Sequence, residues 1–210
     1  MITPRLAVLT AIIGLVATVA AAAWPGRPGP DTGRNFYLLA GAESLDYRLD
    51  PRGADGFAAA GLDLERADGQ GVLGVGWVFA YPVRLDLTLA GGQALVSRPG
   101  VDCAIVRIGA DLHLAVYETR AVSCEGTLTL ALHAIGYRGL PNDEFLPGGE
   151  VGLGATVRLG LVGPFGLMTT YRWEQTRFQR TNVELDDGSV LRVHPTAAFH
   201  SVRVVLTWDL

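Results

Sequence analysis

From residue 35 onward, apolar and polar residues alternate almost one for one. The clearest stretch sets Ala104, Val106, Ile108, Ala110, Leu112, Leu114 and Val116 against Ile105, Arg107, Gly109, Asp111, His113, Ala115 and Tyr117. A repeat of two sends successive side chains to opposite faces of an extended chain, so this stretch is predicted to be a strand. Seven more stretches share it: 36–48, 70–81, 83–96, 126–137, 150–162, 165–176 and 196–210, the first being the least regular. One face is nearly unbroken hydrocarbon, as in Leu73, Val75, Trp77 and Phe79, or Leu128, Leu130, Leu132 and Ala134. The other is glycine, threonine and charge. An all-β fold of eight antiparallel strands is expected, with 36–48 pairing against 196–210 so that no edge stays open.

Two closed architectures produce such alternation. A soluble lipocalin-like carrier turns the apolar face inward, whereas an outer-membrane barrel turns it outward into lipid. The stretches exceed the roughly 5–6 residues of an ordinary strand and suit the roughly 9–11 needed to cross a bilayer at a tilt. Phe36, Trp77, Phe79, Tyr81, Phe165, Tyr171, Trp173 and Trp208 lie at the ends of apolar stripes, where an interfacial aromatic girdle belongs. Connections alternate in length. Tyr81-Pro82, 119–126 and 162–165 are the shorter ones, while 49–69, 138–149 and 177–195 are long and polar; 97–102 is shorter than the rule prefers. In the last long connection Asp187-Gly188 favours a tight hairpin turn, so the final two strands are expected to continue as a ribbon reversing there. The chain stops within its last apolar stripe, at Val204, Leu206, Trp208 and Leu210.

Ahead of this region, Arg5 precedes an apolar run from Leu6 to Ala23 that ends in four alanines and is followed by Trp24-Pro25-Gly26. This layout predicts a secretory signal peptide over 1–23 in preference to a retained membrane helix. Residues 24–34, rich in proline and glycine, read as a flexible linker, leaving 35–210 as the barrel. The composition agrees: of 210 residues, 49% are hydrophobic and 18% charged, which excludes a disordered chain. All 17 basic residues are arginine, unclustered, in a chain of net charge −4, which argues against nucleic acid as a partner.

The leading segment, the eight amphipathic stretches and the closing VRVVLTWDL together resemble the small eight-stranded outer-membrane β-barrel superfamily, the OmpA-type membrane domain and its relatives. Trp208 matches the alternating aromatic position of that superfamily's terminal strand, and Leu210 departs from its aromatic ending. The resemblance implies an outer-membrane address, outer-membrane lipid as surroundings, and recognition of the C-terminal strand by the barrel-assembly machinery. It is one of faces and not of a residue motif, so it implies fold and location far more than activity.

An eight-stranded barrel has room inside only for side chains. Arg84, Arg107, Arg158, Arg172 and Arg203 are therefore expected to meet Asp86, Asp111, Glu150, Glu174 and Glu43 in a lumen network joined by His113 and His133. Opposite charges in similar number close a narrow lumen better than they select an ion, so a plug is favoured over a pore. An enzyme reading fares less well. His200 and Ser201 are adjacent and must face opposite ways, and His194 with Ser189 reads as solvated loop. No third ligand accompanies His113 and His133, and Asp63, Glu65 and Asp68 lack the spacing of a calcium loop, so neither metal nor cofactor is expected. Cys103 and Cys124 flank one strand and should sit near opposite ends, too far apart to bridge. The expected role is a non-enzymatic anchor or interaction barrel, meeting a protein partner through its outer loops or the 24–34 linker. A lipid A acyl-transferring or deacylating enzyme and a soluble carrier are the alternatives.

Overall fold

The computed structural model describes residues 36–49, 64–67, 69–80, 82–96, 98–119, 121–140, 144–161, 163–179, 181–184, 187–193 and 196–210. The signal peptide and linker expected over 1–34 lie outside the described residues, as do Tyr81, His194, Asp63 and Asp68. The strands are β1 (Phe36–Leu49), β2 (Leu64–Ala67), β3 (Gln70–Ala80), β4 (Val83–Val96), β5 (Asp102–Glu118), β6 (Val122–Arg138), β7 (Glu144–Gly160), β8 (Phe165–Phe178), β9 (Thr181–Glu184), β10 (Val190–Val193) and β11 (Thr196–Asp209). The eight long ones pair antiparallel, each with its neighbours, and β1 closes on β11 from Tyr37↔Asp209 to Leu49↔Ala197. This is the eight-stranded closed barrel that the period of two predicts.

Stagger fixes the barrel's shape. Following ladder partners once around, from Tyr37 through Gly76, Asp86, Asp111, Thr129, Gly152, Glu174 and Phe199, returns to β1 at Tyr47, ten residues on. Eight strands with that shear tilt by roughly 40° and enclose a backbone cylinder of roughly 8 Å radius, which side chains fill. Phe36 and Asp209 mark one end, here called proximal; the opposite end is distal.

Several connections differ from expectation. The link expected over 138–149 is only 139–143, because β7 begins at Glu144 and pairs with β6 through Pro147↔Ala134. Proline donates nothing to a ladder, but the Pro147 carbonyl accepts from the Gln179 amide at 2.8 Å, and Leu146 beside it is fully buried. The expected link 119–126 shrinks likewise, since β6 starts at Val122. Both short distal turns use a left-handed glycine, Gly100 at φ 78° and Gly139 at φ 93°, where a Cβ would be strained.

The ribbon after β8 exists in altered form. β9 and β10 pair from Thr181↔Val193 to Glu184↔Val190 as a sheet of their own, not as a continuation of β8 and β11. Residues 185–189 connect them in place of a two-residue turn. Gly188 takes φ 77°, and the Asp187 carboxylate accepts from the Ser189 hydroxyl at 2.6 Å and the Ser189 amide at 2.9 Å, a local bond that replaces ladder pairing. Those bonds hold the Asp187 carboxyl below the usual aspartate range. A depressed carboxylate pKa favours the ordered turn above the unfolded value of about 3.9, and the preference is lost as pH falls through the lower folded value. The Ser189 amide resonance is thus expected to hold steady above about pH 5 and to move toward its random-coil position below about pH 3. Movement only together with global unfolding would refute this account of the turn.

Inside and outside exchange character along the barrel. Over most of its height the outer face is hydrocarbon, with Leu132 70% exposed, Leu153 60% and Ile108 59%. The wall-facing positions inside are charged or hydroxylated. Near the distal end the sense inverts. Leu45, Ile105, Ile135, Leu146, Phe178 and Phe199 turn inward as one apolar cluster, while Gln93, Asp102, Arg138 and Arg177 take the outer face.

Candidate functional site

The interior network occupies the middle of the lumen. Glu43 comes from β1, Arg107 and Asp111 from β5, Glu150 from β7, Arg172 and Glu174 from β8 and Arg203 from β11; all are buried. Arg107 donates from Nε to Glu150 Oε1 at 2.7 Å and from Nη2 to Glu174 Oε1 at 2.9 Å. Arg172 pairs with Glu43, with Asp111 Oδ2 at 3.0 Å and with Glu174 Oε1 at 3.0 Å. Arg203 holds Glu43 Oε2 at 3.2 Å and also pairs with Asp111. Each guanidinium is thus shared by acids from different strands, and the pairs tie opposite walls together. His133 Nδ1 lies 3.0 Å from Glu150 Oε2, with its ring edge-on to Phe178 and Phe199, joining the network to the apolar cluster above.

A second group lies toward the proximal end. Arg84 pairs with Glu118 and Glu125 and donates to the Ser123 hydroxyl at 3.2 Å. His113 stands between Asp86, 3.2 Å from Nε2, and Glu125, 3.4 Å from Nδ1. The Tyr37 hydroxyl donates to Asp86, and its ring fills the space that bare Gly76 leaves: a Cβ there would fall 2.0 Å from Tyr37 Cζ. The Thr127, Thr156 and Thr170 hydroxyls form a chain across β6, β7 and β8 at 2.7 and 2.9 Å. Arg158 does not reach Asp111, Glu150 or Glu174 as expected. It sits over the Tyr37 ring at 4.3 Å and donates to Asp209 at 2.6 Å, because the stagger places it at the proximal rim.

Glu118, Glu125, Tyr37 and Asp209 are network members that sequence reasoning missed. The first two fell in or beside the segment 119–126, read as a link; continuing the alternation of β6 one turn backward would have found Glu125. The chemistry open to this interior is electrostatic closure. Buried acids meet cations within the low-dielectric cylinder, and the distal apolar cluster covers them. His200 and Ser201 face opposite ways: Ser201 is buried against Arg172 while His200 is exposed and stacks on Tyr171. Ser189 donates to Asp187. Among the described residues no group of three or more metal-ligating side chains converges, and Cys103 and Cys124 are both free, on distal β5 and proximal β6.

No known family and no characterised protein matches the chain by sequence. Solved structures match by shape. Neisserial surface protein A, 15% identical, overlaps 83% of this chain and 97% of its own at a TM-score of 0.57. The fold is that of a small outer-membrane barrel. A major outer membrane protein of Thermus thermophilus (10% identity, 83% of this chain and 99% of that one, TM-score 0.48) and OprG of Pseudomonas aeruginosa (13%, 84% and 96%, 0.44) also match.

On the outside of the barrel the aromatic positions fall into two sets. Proximally, Phe36 stacks on Trp77 at 5.2 Å, Trp77 on Phe79 at 4.2 Å and Phe165 on Trp208 at 6.1 Å, all exposed. Tyr171 and Trp173 are exposed higher on β8, and Trp173 faces His200 across the β8–β11 ladder. Eight residues separate Phe165 from Trp173, about 20 Å of height at the strand tilt, close to the roughly 25 Å apolar band of such barrels.

Proposed function

We propose that the protein spans the outer membrane as a non-enzymatic barrel, serving as a structural anchor or interaction protein with a sealed lumen. The observation that carries this reading is the inverted packing: large aliphatic side chains cover the outside while the charged ones lie inside. Water would not tolerate the first arrangement, and hydrocarbon accepts it. Sealing is supported by two layers in series, the shared arginine–carboxylate network and the distal cluster around Phe178 and Phe199. The residues of the network act as filling that ties the walls together, and those of the girdle set the barrel's depth. Outer-membrane lipid is the first partner in this reading, the barrel-assembly machinery engages β11, and a protein partner meets the distal connections or residues 24–34.

Membrane fractionation combined with planar-bilayer recording tests it. The protein is expected in the outer-membrane fraction, shifting on a gel with heating, and silent in the bilayer. Steady porin-like conductance would refute the sealed lumen, and recovery in the soluble fraction the membrane reading. A change in lipid A acylation on deleting the protein would refute the non-enzymatic role.

A further inference from the structure

Of the distal aromatic residues on the outer face, Phe145 stands apart near the start of β7 while Tyr171 and Trp173 lie together on β8. The proximal set is spread over β1, β3, β8 and β11, as a belt that only anchors the barrel requires. At the height of Trp173 and His200, allowing for the strand tilt, the outer face carries Ser44, Gly71 and Gly91 on β1, β3 and β4. On β5, β6 and β7 it carries Val106, Leu132 and Val151. Tyr171 and Trp173 instead share one strand face, and His200 beside them is a polar residue where Val202, Val204 and Leu206 below it are aliphatic. The Tyr171 and His200 rings stack at 5.7 Å with 17° between planes, and the hydroxyl lies 2.7 Å from Nδ1. With the phenol donating, Nε2 on the far side of the ring carries the proton and is a donor. Arg177 stands on the same outer face of β8, about two rungs above Trp173.

A second feature lies on the same wall, its upper end two strands beyond His200 with β1 between. An apolar groove runs up the outside of β11, β1 and β3 from Trp208 past Leu38 to Ala40 and Leu73, and continues between Gly71 and Gly91. Its floor is bare because small residues leave no side chain there. An extended hydrocarbon chain fits such a groove, while exposed ring faces and a ring N–H donor suit a sugar ring bearing phosphate.

We propose that Tyr171, Trp173 and His200 bind the phosphorylated saccharide headgroup of an outer-leaflet glycolipid, one of whose acyl chains reaches across β1 into the groove. The inference rests on the membrane reading above and assigns to Tyr171 and Trp173 a binding role beyond that of a girdle. Trp173 offers its ring face to the sugar, His200 donates to phosphate, and Tyr171 positions His200.

Native mass spectrometry of the full chain, released from detergent, reads the retained lipid directly. Three probes are titrated: lipid A, phosphatidylglycerol as phosphate without sugar, and digalactosyldiacylglycerol as sugar without phosphate. One lipid A is expected to be retained at least tenfold more strongly than either control. His200→Ala and Trp173→Ala should each lower that retention about tenfold, and Tyr171→Phe by less. Heat-dependent gel migration establishes that each variant is folded, and Leu161→Ala, just past the proximal end of β7, should leave retention unchanged. Equal retention of phosphatidylglycerol, or loss with Leu161→Ala as well, overturns the site. If the wild-type chain inserts into vesicles but retains no lipid A, the inference fails alone; if it does not insert, the membrane reading fails with it.

Discussion

Replacing Asp111 by alanine is expected to destabilise the barrel by about 3–5 kcal/mol, the cost of leaving a buried charge without its partner. Asp111 is fully buried and accepts from Thr129 at 2.6 Å and from Arg172 at 3.0 Å while also pairing with Arg203. Its removal takes one of the two carboxylates that Arg172 and Arg203 share, leaving Glu43 as their common partner and Glu174 to Arg172 but not to Arg203. Urea unfolding in lipid vesicles, followed by tryptophan fluorescence, measures the loss. Conductance should stay at baseline, since the distal apolar cluster is untouched. A loss below about 1 kcal/mol, the range of solvent-screened pairs, would mean that water reaches the network and that the lumen is not sealed.

Much of this architecture is written in the alternation. In β4, β5 and β8 the faces follow from a repeat of two, and the strand ends fall within two residues of the periodic stretch. What was not legible has identifiable causes. Pro147, Gly148 and Gly149 carry loop chemistry, yet they extend β7 because a barrel of high shear needs long walls and Pro147 gives its carbonyl where no amide is required. The pairing of Arg158 with Asp209 depends on stagger, a property of all eight strands that no local window holds. The distal apolar cluster was hidden in another way. Ile105, Ile135 and Phe199 keep the same period with the opposite sense, and a reading that assigns one face to each strand cannot see the sense reverse.

Arginine at Leu87 is expected to cost about 2–4 kcal/mol by a different route, the transfer of a cation into hydrocarbon near mid-band. Leu87 is half exposed on the outer face of β4 and touches none of the lumen charges. Leu130→Arg on β6, near the level of Trp173, should cost less, and arginine at Gln93, above the apolar band on β4, should be nearly neutral. The contrast between positions on one strand is the informative quantity, because it maps depth and not packing. Equal tolerance at Leu87 and Gln93, read by the same vesicle unfolding, would place the outer face in water and return the soluble carrier to consideration.

The reversal of faces near the distal end bears on how such a barrel reaches its place. The collar wears Asp102, Arg138 and Arg177 outside, and if the chain enters from the proximal side these groups lead the way through the bilayer. An arginine at the midplane costs about 2–4 kcal/mol, so several of them raise a translocation barrier that the finished structure no longer feels. Spontaneous insertion is then slow in thick, well-packed lipid and quick in thin or defect-rich lipid. An assembly factor that locally disorders the membrane would lower that barrier without changing the final stability at all.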